Sequence, residues 1–152
     1  LSWSGALSLL VNGVITASSG VYISSDNTAV TGQSVLRFDF GAGNTPIVTR
    51  AAAFMQLASG GTANLKWRGS NDASSWTDIG SSFAYNQNLI KLYDFDTLAG
   101  NTNGYRYYEL YGNSGTMRWL YHDEFFFKSK APSKGLILPA YYRGMNPAIL
   151  AR

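Results

Sequence analysis

The chain contains no cysteine and a single histidine, His122. Without thiols it has no disulfide, no cysteine-ligated zinc and no thiol nucleophile. A Ser-His-Asp mechanism would depend on His122, yet no Gly-x-Ser-x-Gly sequence is present to expose a serine. Asp94 and Asp96 would share one face of a strand, where we expect them to be solvated rather than catalytic. The sequence therefore predicts a protein that is not an enzyme and that holds no metal through Cys or His.

Long apolar runs are also missing, because no stretch approaches the ~18 residues that a membrane-spanning helix needs. Charge is scarce: charged residues make up 14% of the chain, the same share as aromatic residues. Residues 1–129 contain eight Lys or Arg and nine Asp or Glu, whereas residues 130–152 contain four cations and no acid. A nearly neutral body without a basic stripe does not favour nucleic-acid binding. We expect no membrane partner and a β-rich binding or structural protein.

Alternating polar and apolar residues predict strands throughout the body. Leu36, Phe38 and Phe40 fall on one face of a strand, and Arg37 and Asp39 fall on the other. Turns rich in Gly, Asn and Ser separate such runs, at 41–44, 59–61, 100–104 and 112–115. Short strands at this spacing predict an all-β fold, an antiparallel β-sandwich or jelly roll. Segment 50–57 is an exception, because its alanine-rich composition favours a helix.

One strand and the turn after it form a recognisable motif. The alternation of Leu65 to Arg68 is followed by the run Ser70-Asn71-Asp72-Ala73-Ser74-Ser75-Trp76. This run resembles the Ser-Asn-Asp-Gly-x-x-Trp sequence of the discoidin (coagulation-factor type C) group of galactose-binding-like β-sandwiches. Further segments are similar to strands of that group in the same order, at 35–41, 105–110 and 123–127. The resemblance covers about residues 15–128.

The resemblance implies a galactose-binding-like sandwich that binds rather than catalyses, and it makes 50–57 a strand. Two departures stand out. Ala73 replaces the usual Gly, so we expect a different backbone after Asp72, and Glu109 replaces an Arg of the family pattern. From the apolar pattern, we expect Trp76 and Ile79 to close the turn against an apolar surface.

Sugar-binding relatives place their site on loops at one end of the sandwich, including the loop before the last strand. The resemblance therefore implies ligand-binding candidates in an early loop and in that late loop, namely Tyr22, Asp26, Asn27, Asn113, Arg118 and Trp119. Asp26-Asn27 is similar to a calcium-binding loop of some relatives, so calcium is the one candidate cofactor and Asp26 its candidate ligand. The alternatives are that Trp119 belongs to the core and that Asp26 is an ordinary turn residue.

The composition changes after Lys128, which divides the chain into a sandwich at 1–128 and an extended C-terminal arm at 129–152. The arm is apolar, interrupted by Pro139 and Pro147, and should bury against some surface. It either packs on its own sandwich or docks on an adjacent subunit. We expect Leu136-Ile137-Leu138 to add as an edge strand. The candidate assembly residues are Leu136, Ile137, Leu138, Tyr141, Tyr142, Arg143, Met145, Ile149 and Leu150.

These observations lead to two hypotheses. The first is a non-catalytic structural or binding protein of a virion, a bacteriophage capsid decoration or tail component, that assembles with other virion subunits as a homo-oligomer through the arm. The alternative is a carbohydrate-binding module that recognises cell-surface or polysaccharide glycans, located outside the cell or at its surface.

Overall fold

The structure, a computed structural model, describes residues 3–4, 21–23, 28–56, 61–85, 91–117 and 121–130, and the structural statements below concern these residues. The strands, in chain order, are β1 (Trp3–Ser4), β2 (Val21–Ile23), β3 (Thr28–Ala29), β4 (Ser34–Asp39), β5 (Val48–Gln56), β6 (Asn64–Ser70), β7 (Thr77–Ala84), β8 (Lys91–Phe95), β9 (Tyr107–Ser114), β10 (Thr116–Met117) and β11 (Tyr121–Ser129). A short 3-10 turn covers Asp96–Leu98. No helix in the described part of the chain is long and apolar enough to cross a membrane.

The strands form two main antiparallel sheets and a small ribbon. One sheet has the order β1-β2-β11-β5-β8, the other has the order β4-β9-β6-β7, and β10 pairs with β3. The predicted all-β antiparallel sandwich is therefore confirmed. The proposed division into 1–128 and 129–152 stays a prediction, although β11 runs to Ser129 and the Lys130 N–H donates to the Ile47 carbonyl.

Strand β5 shows why the helical propensity of its alanines is overridden. It pairs with β11 on one side and with β8 on the other, and Ala51 and Ala53 are fully buried. Small side chains on a strand with neighbours at both edges allow the opposite sheet to approach closely, and ladder hydrogen bonds replace those of a helix. Asp94 and Asp96 do not lie on one strand, since Asp94 is in β8, which ends at Phe95, and Asp96 begins the 3-10 turn.

Aromatic side chains fill the space between the two sheets. Trp67 and Tyr108 from one sheet and Phe125 from the other are fully buried. The Phe38 ring lies between them, with its centroid 5.0 Å from that of Phe125 and 4.8 Å from that of Phe127. Because these rings alternate with polar residues along β4, β6 and β9, the outward face of the four-stranded sheet is left to charged side chains.

The turn between β6 and β7 is held by side chains of the Ser-Asn-Asp motif. The N–H groups of Ser74 and Ser75 donate to Asp72 Oδ1 at 2.8 and 2.7 Å, and Ser70 Oγ donates to the same oxygen at 2.9 Å. Ala73 has φ +60°, the left-handed conformation that glycine adopts most easily. Ala73 thus adopts a glycine-like conformation despite its Cβ, and the expected difference from the family backbone stays a prediction.

Ala73→Gly should therefore stabilise the protein. The left-handed conformation costs an L-residue about 1–2 kcal/mol, and the entropy of a glycine in the unfolded chain offsets about half of that gain. We expect the free energy of unfolding, measured by urea denaturation, to rise by about 0.5–1 kcal/mol. Ala84→Gly, in strand β7 with ordinary backbone, is the matched control and should lower it. Equal effects of the two substitutions would contradict the role of the backbone at Ala73.

Asp72 should also make stability depend on pH. Hydrogen bonds from the backbone of Ser75 and Ser74 and from the Ser70 hydroxyl hold the pKa of Asp72 well below its ordinary value. A depressed pKa in the folded state contributes stability above the unfolded pKa of about 4 and loses it as the pH falls towards the folded value. Between pH 6 and pH 3 the urea midpoint of the wild type should fall more than that of Asp72→Asn. Ala73→Gly keeps these hydrogen bonds and should retain the wild-type slope.

Candidate functional site

The residues predicted to bind a ligand are only partly within the described chain. Tyr22 lies in β2, and Asn113 is exposed near the end of β9. Asp26, Asn27, Arg118 and Trp119 lie outside the described residues. The assembly residues lie outside them as well, namely Leu136, Ile137, Leu138, Tyr141, Tyr142, Arg143, Met145, Ile149 and Leu150.

The strands that flank the two candidate loops are paired with each other. Tyr22 is opposite Tyr121 in the β2–β11 pair, and Thr28 is opposite Met117 in the β3–β10 pair. The segments 24–27 and 118–120 therefore connect the same two strand pairs, and the chain enters and leaves them at neighbouring positions. This pairing is compatible with a common loop-end site, whose ligand-binding and calcium roles stay predictions.

A different set of side chains converges on the outward face of the four-stranded sheet. We call Arg37, Lys66, Arg68, Trp76, Glu109 and Tyr111 the outer-face cluster. Cross-strand register places Arg37 opposite Glu109, and Glu109 opposite Arg68. The next row of the same face places Lys66 opposite Tyr111. Trp76 comes from the turn that precedes β7.

Glu109 is the centre of this cluster and is fully buried, although its strand faces solvent on this side. Its Oε2 accepts hydrogen bonds from Ser34 Oγ at 2.8 Å and from Arg37 Nε and Nη2 at 3.3 and 3.2 Å. Its Oε1 accepts from Arg68 Nε at 2.9 Å and from Arg68 Nη2. Each carboxylate oxygen thus accepts hydrogen bonds from an arginine, which offsets the cost of burying the charge.

Aromatic rings hold the same guanidinium groups. The Trp76 ring centroid lies 4.8 Å from the Arg37 guanidinium carbon and 5.2 Å from that of Arg68. Arg68 also lies over Tyr111 at 3.5 Å, and Lys66 Nζ is 5.7 Å from the Tyr111 centroid. Each such contact stabilises by about 0.5–1 kcal/mol at exposed sites. Trp76 is half-buried beside these guanidinium groups, and its expected apolar contact stays a prediction. The expected burial of Ile79 is confirmed.

Exposed ion pairs border the cluster. Lys66 Nζ lies 2.5 Å from Asp78 Oδ2, and Arg106 donates to both oxygens of Asp39 at 2.8 Å. The hydrogen bond from Arg106 lowers the pKa of Asp39, and the same pair raises the pKa of Arg106. Surface pairs of this kind contribute little to stability, but they fix the direction of their side chains.

A concave feature lies along β7, apart from the centre of the outer-face cluster at Glu109. It is a shallow cleft of about 200 Å³ between β7 and the 100–105 loop, with Asp78, Asn101 and Tyr105 among its lining residues. Asn101 is engaged in the fold, since its amide donates to the Val48 carbonyl at 2.9 Å and its Oδ1 accepts from the Asn103 N–H. The Asn101 side chain of the cleft therefore serves the fold at both its oxygen and its nitrogen.

Sequence reasoning missed the outer-face cluster. Glu109 was noted only as a departure from the family pattern, and Lys66 and Arg68 only as the polar side of an alternating strand. A signal was present, because two arginines and a glutamate occupy outward positions of strands that the resemblance makes neighbours. Among the described residues, no three His, Asp or Glu side chains lie together as a metal site.

The described strands form an antiparallel β-sandwich, which is consistent with the galactose-binding-like fold that the resemblance implied. No protein-family model and no curated protein matches the chain. Among solved structures it is similar to truncated AlyQ with CBM32 and alginate lyase domains, at 16% sequence identity and a TM-score of 0.54. The match covers 90% of this chain and 34% of that one, so the chain spans about a third of its length. At this identity the likeness shows the fold alone, an all-β sandwich.

Proposed function

We propose that the chain is a non-catalytic glycan-binding module whose ligand lies on the outer-face cluster. One observation favours this function above others: two partly exposed rings, Trp76 and Tyr111, stand beside guanidinium groups that Glu109 holds in place. Sugars are bound by ring faces, which contact their C–H surfaces, and by fixed polar groups, which hydrogen-bond their hydroxyls. Side chains that are already immobilised lose little entropy on binding.

The comparison supports the class of ligand. The similar solved chain is described as containing a CBM32 domain together with an alginate lyase domain. A module of this fold, in whose sequence we predict no catalytic residues, fits the binding part of such a protein. We place its work outside the cell or at a cell surface, where glycans occur.

The test compares the outer face with the loop end. Wild type, Trp76→Ala and Trp119→Ala are applied to a glycan array, with and without calcium, after circular dichroism has verified the fold of each. Binding that is lost in Trp76→Ala and retained in Trp119→Ala supports the outer face. The reverse pattern moves the site to the loop end with Tyr22, Asp26, Asn27, Asn113 and Arg118. A wild type that binds no glycan in either condition contradicts the function.

The virion hypothesis remains a second candidate because of the apolar sequence of residues 136–150. No comparison supports a phage origin. Light scattering after size-exclusion chromatography should show an oligomer for the full chain and a monomer for a chain ending at Lys130, which retains all of β11. A full chain that is strictly monomeric excludes assembly through the arm.

A further inference from the structure

We infer that the outer-face cluster is selective for acidic glycans and recognises their carboxylate or sulfate groups through Arg37 and Arg68. This inference rests on the proposed function and names the chemical class of its ligand. The shared requirement is an anionic group on a sugar, held by guanidinium donors that project from the sheet.

Both arginines keep hydrogen-bond donors that Glu109 does not use. Arg37 and Arg68 each use Nε and Nη2 for the Glu109 carboxylate. The Nη1 group of each has no hydrogen-bond partner among the described residues. The Arg37 side chain is 43% exposed, so it offers the more accessible donor, whereas that of Arg68, which lies against Trp76 and Tyr111, is 18% exposed. Guanidinium groups bind carboxylate and other oxyanions through paired N–H donors more strongly than they bind neutral oxygen.

The guanidinium groups of Arg37 and Arg68 are also held rigidly. A guanidinium on the surface is ordinarily mobile, and ordering it on binding lowers affinity. Here each guanidinium is fixed on one edge by the carboxylate of Glu109 and on its face by Trp76. Glu109 is thus a positioning residue, because its buried charge orients two donors without itself reaching the ligand.

The net charge of the outer face also bears on the class of ligand. The three cations of the cluster face the carboxylates of Glu109 and Asp78, which leaves one net positive charge on this part of the sheet. Asp78 is 54% exposed and Asp39, on the same face, is 44% exposed. A single net positive charge beside these acids is not the uninterrupted basic surface that a phosphate backbone requires, whereas one carboxylate or sulfate group can be held by two guanidinium groups alone. The observations therefore favour an acidic glycan over a nucleic acid.

The experiment uses ligands that differ only in charge. Isothermal titration compares polygalacturonate with its fully methyl-esterified form, in which the backbone is unchanged and the carboxylates are neutral. A second pair, chondroitin sulfate and its desulfated form, separates sulfate from carboxylate recognition, and a single-stranded DNA oligonucleotide provides the competing class. We expect the wild type to bind at least one acidic polymer about tenfold more tightly than its uncharged or less charged counterpart.

Variants locate the effect. Arg37→Gln should abolish most of the tenfold preference, whereas Arg50→Gln, the same substitution at an exposed arginine of the other sheet, should leave it intact. If the esterified and acidic forms bind equally, the acidic selectivity is wrong while glycan binding stands. If no polymer of either kind binds, the proposed function itself is wrong. A preference that survives in Arg37→Gln, or DNA binding as tight as that of the best polysaccharide, also overturns the inference.

Discussion

Glu109→Gln is expected to lower the free energy of unfolding by about 2–4 kcal/mol. The glutamine amide presents an NH₂ group where Glu109 presents an oxygen, so either Arg37 and Ser34 or Arg68 would face a donor instead of an acceptor. Breaking a buried ion pair by removing one partner leaves charge uncompensated. The effect stays below that of a wholly buried triad, because both guanidinium groups are partly solvated.

Chemical denaturation in urea measures this change, and Asp78→Asn is the matched control. Asp78 is an exposed carboxylate on the same face, paired with Lys66, and its loss should change stability by no more than about 1 kcal/mol. Similar values for the two variants would show that Glu109 is an ordinary surface acid. Because Glu109 also orients Arg37 and Arg68, its variant should lose acidic-glycan affinity even at temperatures where it remains folded.

The fold was predictable because its signal is local and repeated. Alternation such as that of Leu36, Phe38 and Phe40 fixes which face of a strand is buried, and glycine-rich turns fix where strands end. Segment 50–57 shows the limit of propensity, since its strand depends on pairing with β8 and β11. The family resemblance supplied that tertiary information.

The outer-face cluster could not be predicted in the same way, because it depends on register. Arg37 lies opposite Glu109 in the regular part of the β4–β9 pairing, and the irregularity between Ser34 and Leu36 places Ser34 opposite Tyr111, so that its hydroxyl reaches Glu109. A shift of one residue would turn each of these side chains to the opposite face. No local pattern in β4 or β9 encodes such an irregularity.

The turn at Asp72 was recognised from its sequence, but the conformation of Ala73 was not. Side-chain hydrogen bonds to Asp72 and Ser70 determine the backbone there more strongly than the identity of the residue with positive φ. The turn of this chain therefore forms with an alanine at positive φ and does not require glycine there.

Tyr108→Phe is expected to destabilise the protein by about 2–3 kcal/mol, because the Tyr108 hydroxyl joins several buried backbone groups. It donates to the Pro46 carbonyl at 2.6 Å and accepts from the Val48 N–H at 3.1 Å. It also accepts from the Asn101 side-chain amide at 3.3 Å. Phenylalanine preserves the ring in the core but leaves these groups without that partner, and an unsatisfied buried polar group costs about 1–3 kcal/mol.

The neighbouring substitution Tyr107→Phe separates the hydroxyl network from a general effect of removing a tyrosine hydroxyl. Tyr107 lies on the outer face of β9, where its ring contacts Arg106, and among the described residues its hydroxyl makes no hydrogen bond to the core. Thermal and urea denaturation should therefore show a large loss of stability for Tyr108→Phe and almost none for Tyr107→Phe.

Burial raises the pKa of Tyr108 above its ordinary value near 10, so the wild type should also lose stability as the pH rises past 10. That loss of stability at alkaline pH should be smaller in Tyr108→Phe. If the loss is unchanged, or if Tyr108→Phe and Tyr107→Phe are equally stable at neutral pH, the hydroxyl does not hold the 46–48 and 101–103 segments to the core.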